Sequence, residues 1–84
     1  MKARNVVLHQ DYILGETTTR EGFEVGKVIG IIRIGRRAAD TVVQKMETEV
    51  RKQAVSLGCN HVYFGRPSIR GDDFLVVPGQ AYRA

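Results

Sequence analysis

The chain has 84 residues, of which 43% are hydrophobic and 26% charged, and its formal net charge is +4. This length suits one small domain with a modest core, and no apolar run reaches the roughly 18 residues needed to cross a bilayer. Because the first ten residues lack the apolar core of a signal peptide and Cys59 is the only cysteine, we expect a cytoplasmic protein without an intrachain disulfide.

The N-terminal part of the chain carries weak strand signals. Residues 5–8 favour either a short strand or an arm, and residues 12–14 favour a second short strand followed by a polar loop. We therefore divide the chain into an N-terminal arm or short strand over residues 1–11 and a single domain over residues 12–84.

Residues 23–34 form the strongest strand signal because they are rich in β-branched side chains. Val28 and Ile32 share one face of this strand, whereas Ile29 and Ile31 share the other. Both faces are partly apolar, so the strand is expected to be covered on both sides over part of its length.

An amphipathic helix is predicted over residues 40–57, with Asp40 as its N-cap or with a start a few residues earlier. Val55 falls outside the apolar pattern, and Gly58 suits the left-handed position that ends a helix. The apolar stripe follows three- and four-residue spacing and consists of Val42, Val43, Met46, Val50, Ala54 and Leu57.

Two further strands are predicted after the helix, over residues 60–64 and residues 74–77. The second strand continues past Pro78 if Pro78 lies at a sheet edge or at a bulge, because proline has no N–H group to donate. The two strands are expected to pair as an antiparallel hairpin. The order β-α-β-β, with an additional N-terminal strand or without one, predicts a two-layer α+β domain in which one long helix packs on an antiparallel sheet.

Four segments resemble the YbjQ family of small bacterial and archaeal proteins, which carries a heavy-metal-binding label. The first segment, residues 17–25, has three threonines and a glycine before an alternating strand. The second is residues 28–32. The third, residues 54–62, carries Leu-Gly-Cys-Asn-His-Val at the helix end, and the fourth is residues 77–82. The chain resembles a short variant of that family, because only residues 35–39 separate the central strand from the helix.

The resemblance implies a fold like that of a dodecin subunit and a ring-forming homo-oligomer, commonly a pentamer. It implies no established biochemical role. The heavy-metal label of the family makes a divalent metal ion a candidate cofactor.

Cys59 and His61 are the candidate metal ligands, because residues two apart in a strand point the same way and a thiolate and an imidazole both bind zinc. His9 and Asp72 or Asp73 could add ligands. The alternative is that Cys59, which follows the helix-ending glycine, is a small buried hydrophobe. A Cys–His nucleophile pair is disfavoured, since neighbours in one strand point in parallel directions.

Arg36 and Arg37 form the candidate anion site, because they follow Gly35 at the expected start of the helix, where amide groups and guanidinium groups can hold an anion. The alternative is a solvated turn. The glycines of this region do not match a nucleotide-binding motif.

These patterns predict a non-enzymatic homo-oligomeric binding or scaffold module that holds a small ligand, an anion or a metal ion at its subunit interfaces. A nucleic-acid-binding module is the alternative, although Glu47 and Glu49 dilute the positive charge of the helix. The interface candidates are Ile29, Ile31, Val55 and Tyr63, and the basic helix residues are Lys45, Arg51 and Lys52.

Overall fold

The structure, a computed structural model, describes residues 2–9, 19–35 and 39–84. Within these ranges one helix packs on a five-stranded sheet, which confirms the predicted two-layer α+β arrangement. The strand predicted over residues 12–14 lies outside the described ranges. The elements are a 3₁₀ turn (Ala3–Asn5), β1 (Val7–His9), β2 (Phe23–Arg33), α1 (Ala39–Ser56), β3 (His61–Phe64), β4 (Ser68–Arg70) and β5 (Phe74–Arg83).

The sheet has the order β1-β3-β5-β2, and β4 lies beside the first half of β5. The pairs formed by β5 with β2 and β3 are antiparallel, as predicted; β5 also pairs antiparallel with β4, which was not predicted as a separate strand, and β1 is parallel to β3. The reason is that α1 returns the chain across the sheet, so β3 runs in the same direction as the strands before the helix. The predicted N-terminal arm or strand is therefore a strand, and it makes the sheet mixed.

The core lies between α1 and the inner face of the sheet. Met46, Val50 and Ala54 of α1 are buried against this face, as the predicted apolar stripe requires. Gly30 allows the close approach of the helix, since a Cβ atom there would clash with the Met46 side chain and lie 3.2 Å from Val50 Cγ2. The pattern of residues on β2 and α1 thus sets the spacing of the two layers.

The end of α1 is fixed by a Schellman motif around Gly58, which has a φ of 70°. The amide of Gly58 donates to the carbonyl of Val55 at 2.9 Å, and the amide of Cys59 donates to the carbonyl of Ala54 at 2.8 Å. This geometry confirms the predicted helix end and turns Cys59 into the core. At the other end the helix begins at Ala39, so Asp40 lies in its first turn.

Pro78 lies inside β5 at the point where the strand paired with one side of β5 changes from β3 to β4. The pairing with β3 ends at Phe64 and Gly79, and the pairing with β4 begins at Ser68. The carbonyl of Pro78 accepts a hydrogen bond from the amide of Gly65 at 2.8 Å in the gap between these strands. A residue without an N–H group is tolerated at such an irregular position, and β5 continues past it to Arg83.

Candidate functional site on the outer sheet face

The sheet face opposite α1 carries a stack of rings where β1, β3 and β5 meet. His9 lies beside Tyr63, with ring centroids 4.2 Å apart and an interplanar angle of 6°. Tyr82 meets the Tyr63 ring edge-on at 5.1 Å. Tyr63 is only 1% exposed although it points away from the main core, so this part of the outer face is covered by the chain itself.

Polar contacts join the rings to the segment that precedes β2. His9 Nε2 and His61 Nδ1 are 2.9 Å apart, so one imidazole donates to the other. The Glu21 carboxylate lies 3.5 Å from His61 Nε2, and the Glu21 amide donates to the Tyr63 hydroxyl at 2.7 Å. These contacts hold the segment against the sheet, and we call the group formed by His9, His61, Tyr63, Tyr82 and Glu21 the ring cluster.

Arg20 lies over the ring cluster. Its Cζ atom is 5.5 Å from the ring centroid of Tyr63 and 5.5 Å from that of Tyr82, and its Nη1 donates to the Tyr82 hydroxyl at 3.1 Å. None of the ion pairs formed within the described ranges involves Arg20. The guanidinium is therefore oriented by aromatic rings, and no carboxylate of the described residues forms an ion pair with it.

A pocket of about 350 Å³ opens beside Arg20, and we call it the arginine pocket. Gln80 also lines it, and the Gln80 Oε1 atom is buried without a hydrogen-bond partner in the described part of the chain. The pocket lining includes Arg20, Lys27, Ile29, Gly65, Pro78 and Gln80.

An apolar strip continues from the arginine pocket along β2 and β5. Ile29 is 50% exposed and Ile31 is 58% exposed, although both lie in the middle of an eleven-residue strand. Ile29 is opposite Pro78, and Ile31 is opposite Val76. We call Ile29, Ile31, Val76, Pro78 and the 41%-exposed Phe74 the outer apolar patch.

The structure places the two candidate metal ligands in different surroundings. Cys59 is fully buried in the hydrophobic core, where its thiol is 3.7 Å from the Leu57 carbonyl and where burial raises its pKa, against a smaller opposing effect of Arg83. His61 lies on the outer face with His9. Within the described ranges, no group of three His, Cys, Asp or Glu side chains is arranged to hold a metal ion.

The candidate anion ligands Arg36 and Arg37 lie outside the described ranges. Next to them in the sequence, Gly35 lines a groove of about 530 Å³ at the edge of β2. Arg33 and Lys45 also line this groove, together with Asp73.

The predicted interface residues and the predicted basic helix residues differ in how much of each side chain is available to a partner. Of the interface candidates, Ile29 and Ile31 are exposed, Val55 packs partly against the core of its own chain, and Tyr63 has almost no surface left for another chain. On the helix, the basic face is largely paired, since Glu47 lies 3.5 Å from Arg51 and Glu49 lies 3.5 Å from Lys52.

No spacing in the sequence indicates the ring cluster, because its contacts join distant positions. His9 and His61 are 52 positions apart, and Arg20 and Tyr82 are 62 positions apart. The only available signal is that His61 and Tyr63 share a strand face with apolar neighbours on the other side.

No protein-family model, curated protein or solved structure matches this chain. In the described ranges, no helix has the length and apolar character needed to span a membrane.

Proposed function

We propose that this chain is a non-enzymatic, homo-oligomeric binding or scaffold module that assembles through the outer apolar patch. The observation that carries the proposal is that Ile29 and Ile31 are half-exposed within β2, the longest strand in the described part of the chain. A contiguous exposed apolar surface is typical of a protein interface.

A second copy of the chain is the partner that fits this surface. An apolar strip on a sheet face is self-complementary under two-fold or ring symmetry. The edge of the strip carries both signs of charge, with Lys27 and Arg33 on β2 and Asp72 and Asp73 in the turn before β5. A copy can therefore offer an opposite charge to each rim residue.

The resemblance to the YbjQ family supports a ring, with five subunits as the favoured number. The two-layer arrangement of one helix on a sheet is compatible with a dodecin-like subunit. A small domain of this length also gains stability from burying part of its sheet against other copies.

Native mass spectrometry tests the proposal on protein purified without a chelator or an affinity metal. The expected result at micromolar concentration is a single assembly of about five subunits, and the same spectrum reports any retained ion or small molecule. A uniform monomer at about 100 μM would contradict the proposed assembly.

A double substitution, Ile29→Thr with Ile31→Thr, locates the interface. Threonine keeps the β-branched shape that suits a strand, and both side chains are exposed, so the fold should persist while the apolar contact is lost. The expected mass is that of the monomer. Ile69→Thr is the matched control, because Ile69 is 67% exposed on β4 but is paired with Leu75, outside the outer apolar patch. Equal loss of assembly in this control would place the interface elsewhere.

A further inference from the structure

We propose that the arginine pocket binds a small organic anion, namely a carboxylate with an aromatic or short aliphatic body. The described residues of this site differ from Arg36 and Arg37, the anion ligands predicted from the sequence. This anion site is a second proposal beside the assembly, and Ile29 and Pro78 belong both to the pocket lining and to the outer apolar patch.

Arg20 supplies a cation that is already oriented. Its guanidinium uses one N–H group on the Tyr82 hydroxyl and faces the rings of Tyr63 and Tyr82. A guanidinium has five N–H donors in a planar fork that matches a carboxylate. Because the rings hold the side chain in place, binding an anion there orders few additional groups.

Lys27 adds a second positive charge at the same pocket. It is opposite Gln80 in the pairing of β2 with β5, so its side chain lies on the outer face. Within the described part of the chain, neither Lys27 nor Arg20 belongs to an ion pair, and no acidic residue lines this pocket. The described lining residues therefore carry two positive charges and no negative one, which favours an anion.

The apolar residues of the pocket lining favour a ligand that has an apolar group in addition to its carboxylate. Ile29 and Pro78 face each other across β2 and β5 and form an apolar wall. The volume of about 350 Å³ is near the lower end of the range of roughly 300–1,000 Å³ that small-molecule sites occupy. An inorganic anion would leave this wall exposed to water, whereas a benzoate-sized ligand covers it.

Binding is tested by titrating isotope-labelled protein with benzoate and following the amide signals by NMR. We expect saturable shifts that cluster at Gly65, Gly79 and Gln80, which lie at the pocket. Benzamide has the same ring without the charge, and acetate has the charge without the ring. We expect each of them to bind at least about tenfold more weakly than benzoate. Equal binding of benzamide, or no saturation by benzoate below about 10 mM, would overturn the proposal.

Protein variants assign the effect to the pocket. Arg20→Gln is expected to weaken benzoate binding by about tenfold or more, because it removes a charge-assisted hydrogen-bond donor. Arg70→Gln is the matched control, since Arg70 is an exposed arginine on β4 that does not line the pocket. An equal loss in both variants would mean that only the overall charge attracts the anion, and would overturn the site.

A third variant reduces the volume of the arginine pocket without changing the charge of its lining. Gly65 has no positive φ in the described structure, and a Cβ atom there would contact Pro78 Cγ at 3.4 Å. Gly65→Val should therefore narrow the pocket and weaken benzoate binding while both cations remain. Unchanged benzoate affinity in this variant would overturn the site. The subunit count is measured in the same solutions, so failure of binding and failure of assembly are read separately.

Discussion

The position of the single residue Cys59 at the end of α1 determines the reactivity of its thiol. It follows Gly58 in the motif that ends α1, and the hydrogen bond from its amide to Ala54 directs it into the core. Burial raises the pKa of its thiol, with Arg83 opposing this effect more weakly. The neutral thiol is a small apolar group and a poor nucleophile, which agrees with the alternative of a buried hydrophobe.

The raised pKa of the Cys59 thiol predicts an alkaline loss of stability. The folded state holds the proton more tightly than the unfolded state, so the contribution is fully present below the unfolded pKa and is lost as pH rises through the folded pKa. With a reference value of 9.0, the loss should begin near that pH. Free energies of unfolding of the wild type and of Cys59→Ala, measured by urea denaturation from pH 7 to 10.5, give the contribution by difference. A constant difference over this range would contradict the prediction.

At the scale of elements, Gln53 protects the open edge of β2. The Ile29 amide donates to Gln53 Oε1 at 2.9 Å, and Gln53 Nε2 donates to the Ile29 carbonyl at 2.8 Å. The side-chain amide thus takes the place of a neighbouring strand residue. Edge strands with free backbone groups can pair with other chains, so this contact limits strand addition at the centre of β2.

Gln53→Ala should expose this edge. Loss of two side-chain hydrogen bonds is expected to lower the free energy of unfolding by about 1–2 kcal/mol, and the Ile29 amide should exchange with solvent faster. Native-state hydrogen exchange measures the second effect directly. Gln44→Ala is the control, since Gln44 is an exposed glutamine of the same helix. If Ile29 exchanged equally fast in the wild type and in Gln53→Ala, the protective role of Gln53 would be wrong.

The long elements and β3 could be predicted from the sequence, whereas residues 5–8 favoured either a strand or an arm and β4 was not predicted as a separate strand. The helix predicted over residues 40–57 is Ala39–Ser56, and the strand predicted over residues 23–34 is Phe23–Arg33. Both are long enough for the period of apolar residues to be visible. By contrast, β1 and β4 have three residues each, which is too short for a period, and their partners are set by tertiary contacts.

The candidate site was predicted less well for a physical reason. The rule that residues two apart share a face holds only within a strand, and β3 begins at His61. Cys59 belongs instead to the end of α1, so it enters the core while His61 joins the outer face. The partners of His61 come from β1 and from the segment before β2, and their distance along the chain leaves no local pattern.

Across the molecule, the two faces of the sheet are covered by other parts of the chain to different extents. α1 covers the inner face, and the segment carrying Arg20 and Glu21 covers Tyr63 on the outer face. The outer apolar patch stays exposed and extends into the arginine pocket. A second copy of the chain and a ligand would therefore both contact Ile29 and Pro78, which belong to the outer apolar patch and to the pocket lining.

If copies of the chain cover the outer apolar patch, the thermal stability of the protein depends on its concentration. For a five-subunit ring, mass action adds about 1 kcal/mol per protomer for each tenfold increase in concentration above that at which the ring forms. For a domain of this size, this corresponds to a rise in Tm of about 4–8 °C. Calorimetry at about 5, 50 and 500 μM measures the shift. The Ile29→Thr, Ile31→Thr variant should show a constant Tm, and a constant Tm in the wild type would contradict assembly through this patch.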